Sequence, residues 1–132
     1  FIGGGPNLGT AKFGTAKIKE MTQDHALTII TEEFHHYDRS VHENDVAFLI
    51  APQSDGYQRS VETAKFVNKL DADLISIVDE GDIKIKEESK YIFEMDVLPE
   101  WLSPLVNIIP LHLIIQHLSI AKVSKGIKSP LK

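Results

Sequence analysis

A three-layer αβα sandwich on a mainly parallel sheet is the fold this sequence predicts, on three observations. In Asp45 to Ala51 every residue after the aspartate is apolar and Pro52 closes the run, which is how a strand buried on both faces reads. Two stretches of helical period, from Leu8 to Thr22 and from Gln58 to Leu70, alternate with β-branched runs. The crossovers between those runs are roughly a dozen residues long, enough for a helix, so successive strands lie parallel with right-handed connections.

Phe1-Ile2 running into Gly3-Gly4-Gly5 and Pro6-Asn7 reads as a strand end and a tight turn. Leu8, Ala11, Thr15, Ile18 and Thr22 then recur at helical spacing. Ala26 to Thr31 is β-branched and apolar enough for a strand, whereas Glu32 to His42 is polar and without period, a loop or short helix. After the Asp45–Ala51 strand, Val61, Ala64, Lys65, Val67 and Leu70 mark a helix. Leu74 to Val78 is a further strand, Asp79-Glu80-Gly81-Asp82 a turn, and Tyr91 to Met95 the last strand. A terminal helix runs from about Trp101 to Val123, and Pro104 and Pro110 must start it late or kink it. Its segment from Leu105 to Ala121 is too apolar for a free tail and belongs in a core or an interface. Lys122 to Lys132 holds Lys122, Lys125, Lys128 and Lys132 with no acid and reads as a solvated tail.

The chain has 132 residues, 42% hydrophobic and 25% charged, the composition of one globular domain spanning residues 1–132. With 14 Lys+Arg against 19 Asp+Glu the net charge is −5, which disfavours a nucleic-acid partner held by a broad basic field. The absence of cysteine removes disulfides, thiolate zinc sites and a cysteine nucleophile, and points to the cytoplasm. Leu105 to Ile115, the longest apolar run, is interrupted by Asn107, Pro110 and His112 and falls short of the roughly 18 residues of a spanning helix, so no membrane span is expected. Opening inside a strand with no Met, the sequence is expected to be a piece of a longer polypeptide.

In open parallel sheets ligands sit beyond the carboxyl ends of the strands. Two loops qualify, Gly3-Gly4-Gly5-Pro6-Asn7 and Pro52-Gln53-Ser54-Asp55-Gly56. The first is not a dinucleotide fingerprint, because Leu8 or Thr10 stands where the last glycine is required, and no cofactor is expected. Lys17 and Glu20 are i, i+3 neighbours that can point into one cleft or form an exposed ion pair, while Lys19 lies on another face. His35-His36 are adjacent, and His112 and His117 stand at i, i+5, so neither pair has metal-ligand spacing and no metal site is expected. His112 and His117, among apolar neighbours, read as core or interface residues.

Gly3-Gly-Gly-Pro-Asn-Leu-Gly-Thr-Ala11, Gly14-Thr-Ala-Lys17-Ile-Lys19-Glu20 and Glu33-Phe-His-His36, taken together, resemble the sugar isomerase (SIS) family. The likeness is to the second SIS half found in amino-sugar phosphate synthases, deaminases and deglycases, and it continues through Phe48–Pro52 and Pro110–His112. It implies a Rossmann-like or flavodoxin-like sandwich that isomerises an open-chain sugar 6-phosphate between aldose and ketose. The resemblance gives Glu20 the proton shuttle between C1 and C2, Lys17 proton movement at the sugar oxygens, and His36 ring opening in a neighbouring subunit's site. It marks Gly3, Gly4, Gly5, Asn7, Lys19 and Glu33 as substrate-binding candidates and implies a homodimer or higher oligomer. Ring opening and enolisation need proton donors and acceptors working near neutrality, which histidine supplies and a carboxylate supplies when buried beside a counter-charge. Tyr37-Asp38 stand where the family usually has Gly-Pro after the histidine, and the Ser/Thr-rich phosphate loop of the first SIS half has no counterpart here. These departures leave an alternative, a non-catalytic SIS module for sugar-phosphate binding or dimerisation.

Overall fold

The computed structural model describes residues 1–37 and 40–127. Five parallel strands, β1 (Ile2–Gly3), β2 (Ile29–Ile30), β3 (Val46–Ala51), β4 (Asp73–Asp79) and β5 (Tyr91–Met95), form one sheet in the order β2-β1-β3-β4-β5. The helices are α1 (Asn7–Thr22), the short α2 (Phe34–Tyr37), α3 (Tyr57–Lys69) and α4 (Pro104–Ser124). The alternation read in the sequence is therefore the alternation observed.

β3 shows why the sheet must be covered twice. Phe48 and Ile50 point into a cluster with Ala11 and Ile18 of α1, Ile77, and Leu111 and Ile115 of α4. Their neighbours Ala47, Leu49 and Ala51 point the other way, into a cluster with Phe34, Val61, Ala64, Val67, Leu74 and Val78. Successive side chains on a strand face opposite sides, so an unbroken apolar run feeds two cores. α1 and α4 make one outer layer, and α3 with the segment around Phe34 makes the other.

The expected strand from Ala26 to Thr31 shortens to Ile29–Ile30, because β1 offers only Ile2 and Gly3 as partners. Thr28 before it turns its hydroxyl toward α1 and donates to Thr15 Oγ1 at 2.7 Å. Pro104 occupies the first turn of α4, where its missing N–H costs nothing, and the helix continues through Pro110. α4 has 21 residues, within which an 18-residue stretch has a mean hydropathy of 1.5, long and apolar enough by length and composition alone to cross a membrane. The interruptions read in the apolar run do not stop the helix, since Asn107 and Pro110 are buried within it.

Polar bonds fix α4 to α1 at both ends. Asn7 donates from its amide to Ser103 Oγ at 2.8 Å, and its Oδ1 accepts from Asn107 at 3.2 Å and Thr10 at 3.2 Å. At the far end Lys122 Nζ donates to the Thr22 carbonyl at 2.7 Å and to Asp24 at 2.6 Å, which lowers the Asp24 carboxyl below its ordinary range. Lys122 is thus an anchor rather than the first residue of a tail, while Lys128, Pro130 and Lys132 lie outside the described residues. The opposite face of α4 shows Leu105, Ile109, Leu113 and Ile120 to the exterior, with no charged residue from Pro104 to Ala121. His112 and His117 are on that exposed side as well, His112 packed on Phe13 with centroids 4.6 Å apart, so neither is a core histidine.

Candidate functional site

β1 sends its chain to β2 and β3 sends its chain to β4, in opposite directions across the sheet. Between the C-terminal ends of β1 and β3 the loops part, and a cavity of about 210 Å³ opens there. Gly4, Gly5, Thr31, Ser54, Ser60 and Glu100 are among its lining. The glycine turn is shaped by close approach: a Cβ on Gly3 would stand 2.6 Å from the Asn7 carbonyl oxygen. Gly5 has a φ of 49°, the left-handed region that glycine tolerates best, and Glu100 Oε1 lies 2.7 Å from where its Cβ would be.

The loop after β3 is held from the neighbouring strand. Asp79, the last residue of β4 and only 3% exposed, accepts the Gln53 backbone N–H at 2.8 Å through Oδ2, while its buried Oδ1 has no hydrogen-bond partner. Asp82, also buried, accepts the Tyr57 hydroxyl and, at 3.5 Å, the Gln53 side-chain amide through Oδ2, and its Oδ1 takes the Ile85 N–H at 2.8 Å. Burial pushes the Asp79 carboxyl above its ordinary range; the Gln53 N–H opposes the shift and the charge of Asp82 adds to it. The Tyr57 phenol is pushed up to about 12 by burial first and by Asp82 second.

The residues singled out in the sequence do not converge on this cavity alone. Gly4 and Gly5 line it, but Gly3 is buried in β1, and Asn7 is buried with its amide engaged between α1 and α4. Lys17 and Glu20 form an ion pair at 2.7 Å on the last turns of α1. Glu20 is thirteen residues beyond Asn7, about 20 Å along the helix axis at 1.5 Å per residue. Its side chain is 64% exposed and that of Lys17 31%, with Lys17 Nζ also 5.9 Å from the Phe13 ring centroid. Lys19 is exposed on the next face, and Glu33 and His36 are exposed on the segment that precedes β3. His35, beside it, packs edge-on against Phe66 with centroids 5.6 Å apart. Thus the chain presents two separate polar places, a cavity at the strand ends and an ion pair at the far end of α1.

Asp79, Asp82, Tyr57, Thr31 and Glu100 were not singled out in the sequence as site residues. The signal available was the position of Asp79, a carboxylate closing a β-branched strand at its carboxyl end, where sites of this architecture form. Among the described residues no group of three or more His, Asp or Glu side chains is placed to hold a metal ion.

The profile of the SIS domain matches residues 1–122. The chain belongs to the SIS family. Among curated relatives, the SIS chain is 28% identical over 123 residues to glutamine--fructose-6-phosphate aminotransferase [isomerizing] of Pyrococcus horikoshii, covering 92% of this chain and 20% of that protein. It therefore spans about one fifth of the curated relatives it matches. Among solved structures it superposes on the C-terminal domain of glucosamine-fructose-6-phosphate aminotransferase from Francisella tularensis with a TM-score of 0.79 and 26% identity, over 92% of this chain and 35% of that one. The sugar isomerase domain of an RpiR transcription factor from Sphaerobacter thermophilus shares the fold at a TM-score of 0.78 and 10% identity, over 93% of this SIS chain and 70% of that chain. The SIS sandwich accordingly occurs both in enzymes and in a regulator, and its chemistry has to be argued from side chains.

Proposed function

We propose that this SIS domain is one half of a phosphosugar aldose-ketose isomerase of the amino-sugar synthase or deaminase type, acting on an amino-sugar or ketose 6-phosphate. The observation that carries the reading is the Lys17–Glu20 pair, formed at 2.7 Å at the place where the SIS resemblance puts the proton shuttle. Glu20 takes a proton from one of the two carbons C1 and C2 and returns it to the other on the same face. Lys17 serves the sugar oxygens, and His36, exposed on its segment, reaches the site of a neighbouring subunit to open the ring.

A carboxylate that is 64% exposed lacks the dry surroundings in which a base works near neutrality. The site is therefore composite: a second SIS unit, in the same polypeptide or in another subunit, covers Glu20 and supplies the phosphate contacts. The uncharged outward face of α4 supports such pairing, because a helix apolar on all sides is normally buried on all sides. Lys19 and Glu33 belong to the substrate contacts of this reading, the glycine turn to a separate contact at the strand ends, and a cytoplasmic location goes with it. The full-length protein should interconvert fructose 6-phosphate with an aldose or amino-sugar 6-phosphate, followed by NMR. The second reading, a sugar-phosphate-binding module without catalysis, is favoured by the distance between Glu20 and the strand-end cavity; binding without any interconversion would establish it in place of the first.

A further inference from the structure

We propose that the cavity between the ends of β1 and β3 takes a hydroxyl- or ammonium-bearing group of a ligand, and that Glu100 bars phosphate from it. The inference rests on reading the chain as a sugar-handling domain, and it assigns which end of a sugar this cavity can hold.

The cavity, at about 210 Å³, has room for roughly seven waters at ~30 Å³ each, the scale of part of a sugar ring. Thr31, Ser54 and Ser60 are among its lining, three residues whose hydroxyls can donate and accept, although the Thr31 oxygen itself is sealed from solvent. Thr31 is 4% exposed, yet its Oγ1 has no hydrogen-bond partner, which is an incomplete state for a buried hydroxyl. That oxygen lies against Gly4, 3.4 Å from where a Cβ would be.

Two helix starts flank the cavity and would ordinarily invite an anion, but the one at α1 is closed. The Asn7, Leu8 and Gly9 N–H groups already donate to the Gly4, Gly5 and Pro6 carbonyls at 3.0, 3.2 and 3.2 Å. The Glu100 carboxylate lies against the same turn, at Gly5. Glu32, the other acid of the lining, is paired with Arg59 at 3.3 Å. An arriving phosphate would meet a like charge at the turn, whereas a carboxylate that can only accept is the natural partner of an O–H or an ammonium. A sugar bound here enters with a hydroxyl or amino group and keeps any phosphate outside this cavity; it is a different molecule from the one whose C1 and C2 lie at Glu20, about 20 Å along α1.

The test follows the backbone amide signals of Gly4, Gly5 and Ser54 in the full-length protein by NMR, with glucosamine and inorganic phosphate as separate probes. In the unaltered protein glucosamine should shift these signals and phosphate at the same concentration should not. Glu100→Gln, nearly isosteric, should weaken the glucosamine response at least tenfold and make phosphate visible at the same amides. Thr31→Val, which keeps the shape and removes the hydroxyl, should weaken glucosamine several-fold without admitting phosphate. Phosphate shifting these amides in the unaltered protein, or a glucosamine response absent or unchanged by Glu100→Gln, would overturn the assignment. Solvent deuterium exchange into the sugar phosphate is measured in the same samples: exchange that persists while the amides fail these expectations refutes the cavity assignment alone, and absence of exchange refutes the isomerase reading separately.

Discussion

Asp79 accepts the Gln53 backbone N–H at 2.8 Å, so the loop leaving β3 is suspended from the last residue of the neighbouring strand β4. A buried carboxylate with one oxygen unpartnered is a costly way to hold a loop, and the cost depends on pH.

Burial raises the Asp79 carboxyl above its ordinary value of about 3.9, so between that value and its value in the fold the native state binds more protons than the unfolded chain. Stability contributed by Asp79 is complete at the acid side of that window and is lost as pH rises through it. Asp79→Asn keeps a carbonyl oxygen for the Gln53 N–H and never ionises. Its melting temperature relative to the unaltered protein should climb from about pH 4 upward and then level off. Thermal melts across pH check this; a difference independent of pH would mean that Asp79 is not strained by its charge.

Two glycines of α1 should respond to alanine in opposite directions. Gly9 has nothing within 4 Å of a Cβ, so Gly9→Ala gains helix propensity, up to about 1 kcal/mol. At Gly14 the added carbon would stand 2.5 Å from the Phe1 ring, which itself stacks on Phe48 at 4.6 Å. Gly14→Ala should therefore destabilise by roughly 1–3 kcal/mol through overpacking, less whatever helix propensity returns. Denaturant unfolding of both variants measures the contrast.

How far the sequence could be read follows from the range of the interactions. The apolar residues of β3 announced a strand covered on both faces, and of the two effects expected of the prolines in the terminal helix the late start is the one seen, at Pro104, because both signals are local. Lys122 looked like a tail residue because its partners, Thr22 and Asp24, are about a hundred residues away in the chain. Glu100 could not be associated with Gly5, nor Asp82 with Tyr57, until the sheet had brought their loops together. Of the two readings of His112 and His117, core or interface, the first falls: on this helix apolar residues occupy both faces and the histidines take the outer one.

If His36 acts in a neighbouring subunit's site, the sites are shared and two defective proteins can repair each other. Mixing inactive His36→Ala with inactive Glu20→Ala should restore a fraction of the activity once subunits have exchanged. No recovery after exchange has been verified by mass would place His36 and Glu20 in the same subunit's site or remove His36 from the chemistry.

Glu20 bears the central claim, because enediol formation needs one base that removes a proton from one carbon and delivers it to the next. Glu20→Gln preserves shape and removes that base. In the complete protein, incorporation of solvent deuterium at C1 or C2 of the sugar phosphate should fall on the order of 10²- to 10⁴-fold, with sugar-phosphate binding changed only by a small factor. Exchange at the unaltered rate would contradict the account and leave Glu20 as half of a surface ion pair with Lys17, worth about 0.3–0.5 kcal/mol to the helix and nothing to catalysis.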